Sequence, residues 1–86
     1  MIKLWAKLIT DNKIQKDIIY ESLDNYIRAE FYEHLSEVCY RLGIPTPVVV
    51  EAHLNNFEIF NIVKFLPRDF VESFDFDKLE IENAIR

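Results

Sequence analysis

Two alternating apolar runs, "IKLWAKLI" at residues 2–9 and "IQKDIIYE" at 14–21, flank the polar stretch "TDNK". That arrangement reads as a β-hairpin and fixes how the chain begins to fold. Charge argues for its register. A two-residue loop of Asp11 and Asn12, a pair that suits a type I′ turn, would set Lys7 opposite Lys16 and Ala6 opposite Asp17. A loop one residue longer, 11–13, sets Lys7 opposite Asp17, Lys3 opposite Glu21, Trp5 opposite Ile19 and Ile9 opposite Gln15. Opposite charges across a strand pair stabilise by a few tenths of a kcal/mol and like charges destabilise similarly. The longer loop is therefore predicted. It puts Leu4, Ala6, Leu8, Ile18 and Tyr20 on one face and Lys3, Trp5, Lys7, Ile9 and Ile19 on the other.

Residues 23–42 are predicted to form a long helix. Leu23, Ile27, Phe31, Leu35, Val38 and Leu42 recur at steps of three or four, Ser22 or Asp24 is in place to cap its start, and Arg41 suits its last turn. Gly43, the single glycine of the chain, stands where a helix end takes a left-handed residue. A second helix is predicted with Thr46 as its cap, Pro47 in its first turn and its end near Asn61. "VKFLPRDFVE" reads as a short extended piece followed by a turn, and "KLEIEN" as a last strand with Leu79 and Ile81 inward. The alternation of Phe74 and Phe76 falls out of step with Leu79 and Ile81, so a turn or bulge is expected at Asp77 and Lys78.

Composition bounds the rest. The chain has 86 residues, enough for one small domain spanning 1–86, and half of them are hydrophobic. Its one cysteine, Cys39, rules out an internal disulfide and suits a reducing, cytoplasmic compartment. No run approaches the roughly 20 apolar residues of a membrane span, and the lysine-interrupted N-terminus does not read as a signal peptide. The net charge of −5 disfavours general nucleic-acid binding.

Chemistry-bearing residues are sparse. Asp69, Glu72, Asp75 and Asp77 lack the glycine of a calcium loop and read as solvated carboxylates on an edge. His34 shares a helix face with Glu30 and Glu37, one imidazole and two carboxylates that a metal could use. His53 falls on the apolar line of the second helix and reads as a hydrogen-bonded core histidine. Cys39 reads as a small buried hydrophobe. No nucleophile elbow or glycine-rich phosphate loop is present, and no cofactor is expected.

The outer hairpin face is the main functional candidate: Trp5, Ile9 and Ile19 bordered by Lys3 and Lys7. Such a patch is covered by a helix or the tail, serves as an interface, or stacks single-stranded bases on its tryptophan.

"LWAKLI", "NKIQKDIIY", "LGIPTPVVV", "KFLPRDFVE" and "FDFDKLEIE" together resemble short uncharacterised proteins of about this length from clostridia and related Firmicutes. The resemblance covers nearly the whole chain. It implies a bacterial, cytosolic, stand-alone domain with no assigned activity, and so transfers no functional residue.

The predicted fold is α+β: an N-terminal hairpin, two helices and a C-terminal strand or strands, forming a three- or four-stranded antiparallel sheet with the helices on one face. The predicted core is Leu4, Ala6, Ile18, Tyr20, Ile27, Phe31, Leu35, Val38, Leu54, Phe57, Phe65, Leu79 and Ile81. The functional expectation is a non-enzymatic interaction module, either a homodimer or an accessory subunit, acting through Trp5, Ile9, Ile19, Lys3 and Lys7. The alternative is a metal-binding protein or small enzyme built on His34, Glu30 and Glu37.

Overall fold

A computed structural model describes residues 1–85. Strands β1 (Ile2–Thr10) and β2 (Lys13–Ser22) form the hairpin. Asp11 and Asn12 have φ of 53° and 63°, the left-handed values of a two-residue type I′ turn. At the tip Thr10 pairs with Lys13 and Ile9 with Ile14. A bulge at Gln15 then shifts the register, and from Leu8–Lys16 onward the pairs are those expected from charge, including Lys7–Asp17, Trp5–Ile19 and Lys3–Glu21. The predicted loop 11–13 and the Ile9–Gln15 pair are thus corrected. Aspartate and asparagine accept positive φ at low cost, so the turn closes tightly, and the bulge restores the charge-matched register.

The first long helix, α1, covers Phe31–Leu42, beginning eight residues later than predicted. The Ser22 hydroxyl accepts the Asp24 N–H at 3.1 Å, a local turn that competes with helix at this point. Leu23 and Ile27 are exposed, so Ile27 is not a core residue, and only a short 3₁₀ turn at Arg28–Glu30 precedes α1. The end is as expected. Gly43 sits at φ 72°, its N–H bonds the Tyr40 carbonyl at 3.1 Å, and the Ile44 N–H bonds that of Cys39 at 3.0 Å, the paired bonds of a Schellman motif.

The second helix, α2 (Glu51–Phe60), begins later than the predicted Thr46–Pro47 start. The β-branched run Val48–Val50 stays outside the helix; Val50 is extended, and the Val48 N–H bonds the Asp69 carbonyl at 2.8 Å. Pro47 is fully buried in this segment. His53 caps the helix instead: its Nδ1 accepts the Val50 N–H at 3.0 Å, and its Nε2 lies 3.5 Å from Asp69 Oδ2. Because a backbone N–H only donates, the neutral ring carries its proton on Nε2, toward the carboxylate.

Strands β3 (Ile62–Phe65) and β4 (Lys78–Asn83) complete one antiparallel sheet of order β2-β1-β4-β3. The chain joins the sheet at Asp77, whose N–H bonds the Ile9 carbonyl at 2.9 Å. Before it, Phe70 and Phe74 stack at 4.0 Å, and Phe74 and Phe76 lie against the core. The out-of-step tail is therefore an irregular segment packed by its aromatics, followed by a strand. The core gathers Leu4, Ala6, Leu8, Val63, Phe65, Leu79 and Ile81 from the sheet with Phe31, Leu35, Val38, Cys39, Leu42 and Phe57 from the helices. Ile18 and Leu54 pack at its margin.

Candidate interaction surface

With both helices on one face, the strand alternation turns the remaining residues onto a face that no helix covers. Its residues form rows across the sheet. One row runs Asp17, Lys7, Glu80, Lys64 from β2 to β3. The next runs Ile19, Trp5, Glu82, Ile62. Ile14, Ile9 and Lys78 lie beyond the first row, and Glu21 and Lys3 beyond the second.

Lys7 is the centre of this face and is only 6% exposed. Its Nζ lies 3.0 Å from Glu80 Oε1, 3.3 Å from Glu82 Oε1 and 3.9 Å from the Trp5 ring centroid. The expected bridge from Lys7 to Asp17 is therefore not formed. Strand β4 offers two carboxylates to the ammonium, while Asp17 accepts the Trp5 Nε1–H at 2.8 Å. Burial by itself would lower the Lys7 pKa; the hydrogen bonds to Glu80 and Glu82 outweigh it, and the net direction is upward from 10.5.

All five residues predicted for the surface lie on this face, in different states. Ile9 and Lys7 are buried, Lys3 and Trp5 are half-buried, and Ile19 is 50% exposed. Trp5 lies over Lys7 with its N–H tied to Asp17, so the exposed apolar residues are Ile19 and Ile14, both about half exposed and on the edge strand β2. Lys64, Glu80, Glu82 and Ile62 complete the rows and were missed. The signal was present: once Val63, Phe65, Leu79 and Ile81 face inward, the residues between them face outward. The face carries four lysines (Lys3, Lys7, Lys64, Lys78) and four carboxylates (Asp17, Glu21, Glu80, Glu82), and so is electrically neutral in a chain of net charge −5.

The proposed metal-binding set does not assemble. His34 is buried with its Nδ1 2.9 Å from the Tyr20 hydroxyl, and Glu37 turns to Arg41 at 3.4 Å. Among the described residues no three His, Cys, Asp or Glu side chains group to hold a metal ion. Two of the four tail carboxylates have structural roles: Asp69 accepts the Leu66 N–H at 2.7 Å and Asp77 the Asp11 N–H at 2.9 Å. Cys39 is fully buried, and that burial pushes its thiol up to about 12, against a smaller downward effect of a hydrogen bond with Thr46.

A groove of about 330 Å³ opens between β1, the end of β4 and α2, floored by Ile2, Leu4 and Phe57 and edged by Tyr26, Glu58 and Asn61. The Tyr26 hydroxyl donates to Glu58 at 2.6 Å and Arg28 bonds the other oxygen at 2.7 Å. Burial, and then the bond to Glu58, raise the Tyr26 pKa, so the phenol stays neutral. This cluster clamps the 22–30 segment to α2.

No helix is long and apolar enough to cross a membrane among the described residues. Comparison of the chain with protein-family models, with curated proteins and with solved structures gives no match.

Proposed function

We propose that this chain is a small non-enzymatic interaction module whose contact surface is the helix-free face of the sheet. One observation carries the reading: Ile19 stands half exposed beside Trp5 on a neutral sheet face that no helix covers. Half-exposed apolar residues beside an aromatic ring, on a face without net charge, form a surface that association can bury. The thiol of Cys39 and the imidazole of His34 are both enclosed and engaged elsewhere, which supports binding over catalysis. A buried free thiol fits a reducing cytoplasm. The neutral face offers no attraction for a polyanion.

Site-specific photo-crosslinking tests this. A photoreactive residue at position 19 should yield protein adducts in cells, and the same residue at position 40, exposed on α1, should yield none. Equal adducts from both positions, or none from position 19, would contradict the reading.

A further inference from the structure

Resting on that reading of the face, we infer that its partner is a second copy of this chain, related by a twofold axis parallel to the strands. The central row reads Asp17, Lys7, Glu80, Lys64, an alternation of negative and positive charge. Rotation about an axis along the strands lays the row on its own reverse. Asp17 then meets Lys64 of the second copy, and the enclosed Lys7 comes into register with Glu80 beneath the contact. The neighbouring row, Ile19, Trp5, Glu82, Ile62, places Ile19 on Ile62 and Trp5 on Glu82. An axis perpendicular to the strands through the central row would instead set each charge on its like. The row pattern thus selects one of the two aligned face-to-face arrangements, and stacked sheets do pack nearly aligned, about 10 Å apart.

Size sets the strength. Four strands at about 4.8 Å and roughly six residues at 3.4 Å make a face of about 400 Å² per copy. Two such faces fall below the roughly 1,200 Å² of stable complexes. Charge pairs at the centre roughly break even against their desolvation, so they orient the pair more than they tighten it. A weak, transient dimer is the expectation for a contact of this size.

Asp17 and Lys64 lie on opposite edge strands, three strand spacings or about 14 Å apart, beyond the screening length at physiological salt. One cannot compensate for the other within a copy. Sedimentation equilibrium from about 10 µM to 1 mM should show the wild type dimerising. Asp17→Lys and Lys64→Glu should each weaken self-association about tenfold or more, and their equimolar mixture should recover it through mixed dimers, in which both edge contacts are again of opposite sign. A second pair, Ile19→Glu and Ile62→Lys, should repeat the pattern without touching the Asp17–Trp5 hydrogen bond. Circular dichroism identifies any variant that fails to fold. A wild type that stays monomeric to 1 mM, variants that dimerise as the wild type does, or mixtures that recover nothing in both pairs would overturn the inference. The two readings fail separately: crosslinked adducts from position 19 with a mass other than twice 10.3 kDa sink the second copy and keep the surface.

Discussion

On the helix side of the sheet, Leu8, Leu79, Ile81 and Phe65 are fully enclosed by the helices and the aromatics of the 70–76 segment. On the other side Lys7 is nearly as enclosed, although no helix lies over it. The first kind of burial removes apolar surface from water and is worth about 25 cal/mol per Å². The second is built from side chains alone: an indole over an ammonium, with two carboxylates beside it. There desolvation takes back part of what the contacts contribute, so the net stabilisation is small beside that of the inner face. One sheet therefore has a face that holds the fold together and a face whose order is maintained for little folding energy.

Mutation separates the two. Leu79→Ala on the helix side leaves a cavity in a packed core and should cost about 2–5 kcal/mol, read as a lower guanidinium midpoint. A cost under about 1 kcal/mol would mean that the inner face is not packed as described. Lys7→Met keeps the stem but leaves Glu80 and Glu82 side by side without their cation, and should cost about 1–2 kcal/mol. Salt should shrink that difference by screening the carboxylate repulsion. The pH dependence has a definite sign. The folded-state pKa of Lys7 lies above its ordinary 10.5, so its contribution is complete below about 10.5 and is lost as pH rises through the folded value. Urea titrations of wild type and Lys7→Met should therefore differ by a constant amount from pH 7 to about 10 and converge above it.

Smaller effects sharpen the contrast. Gly43→Ala should cost about 1 kcal/mol from its φ of 72° alone, because a Cβ there meets nothing within 4 Å. Its melting temperature relative to wild type reads this directly. Trp5→Phe keeps an aromatic over Lys7 and removes the N–H donated to Asp17. It should cost about 0.5 kcal/mol in the same assay; a loss as large as that of Leu79→Ala would place Trp5 in the folding core.

The sequence was most legible where the information is local. The hairpin faces, the stripe Phe31–Leu42 and the Gly43 stop follow from spacing and from one glycine. Local competition was harder to weigh. Ser22 and Asp24 promised a helix cap and form a separate turn, and three valines overrode the start signal of Thr46 and Pro47. The candidate surface was half legible. The inner residues of β1, β2 and β4 were readable, but the faces of β3 and the insertion of β4 between β1 and β3 were not, because strand order depends on contacts far apart in sequence. That insertion explains why Lys7 turns to Glu80 and Glu82, more than seventy residues away, and leaves its cross-strand neighbour Asp17 to Trp5.

The most direct measurement uses the chain's single tryptophan, which sits on the face in question. Acrylamide quenching of Trp5 fluorescence should be efficient at about 5 µM and fall as the protein approaches 1 mM, with half the change near the dissociation constant found by sedimentation. The same titration of Ile19→Glu should stay at the efficient limit throughout. Quenching that does not change with concentration while the wild type dimerises would place the contact elsewhere on the molecule and contradict the assignment of the helix-free face.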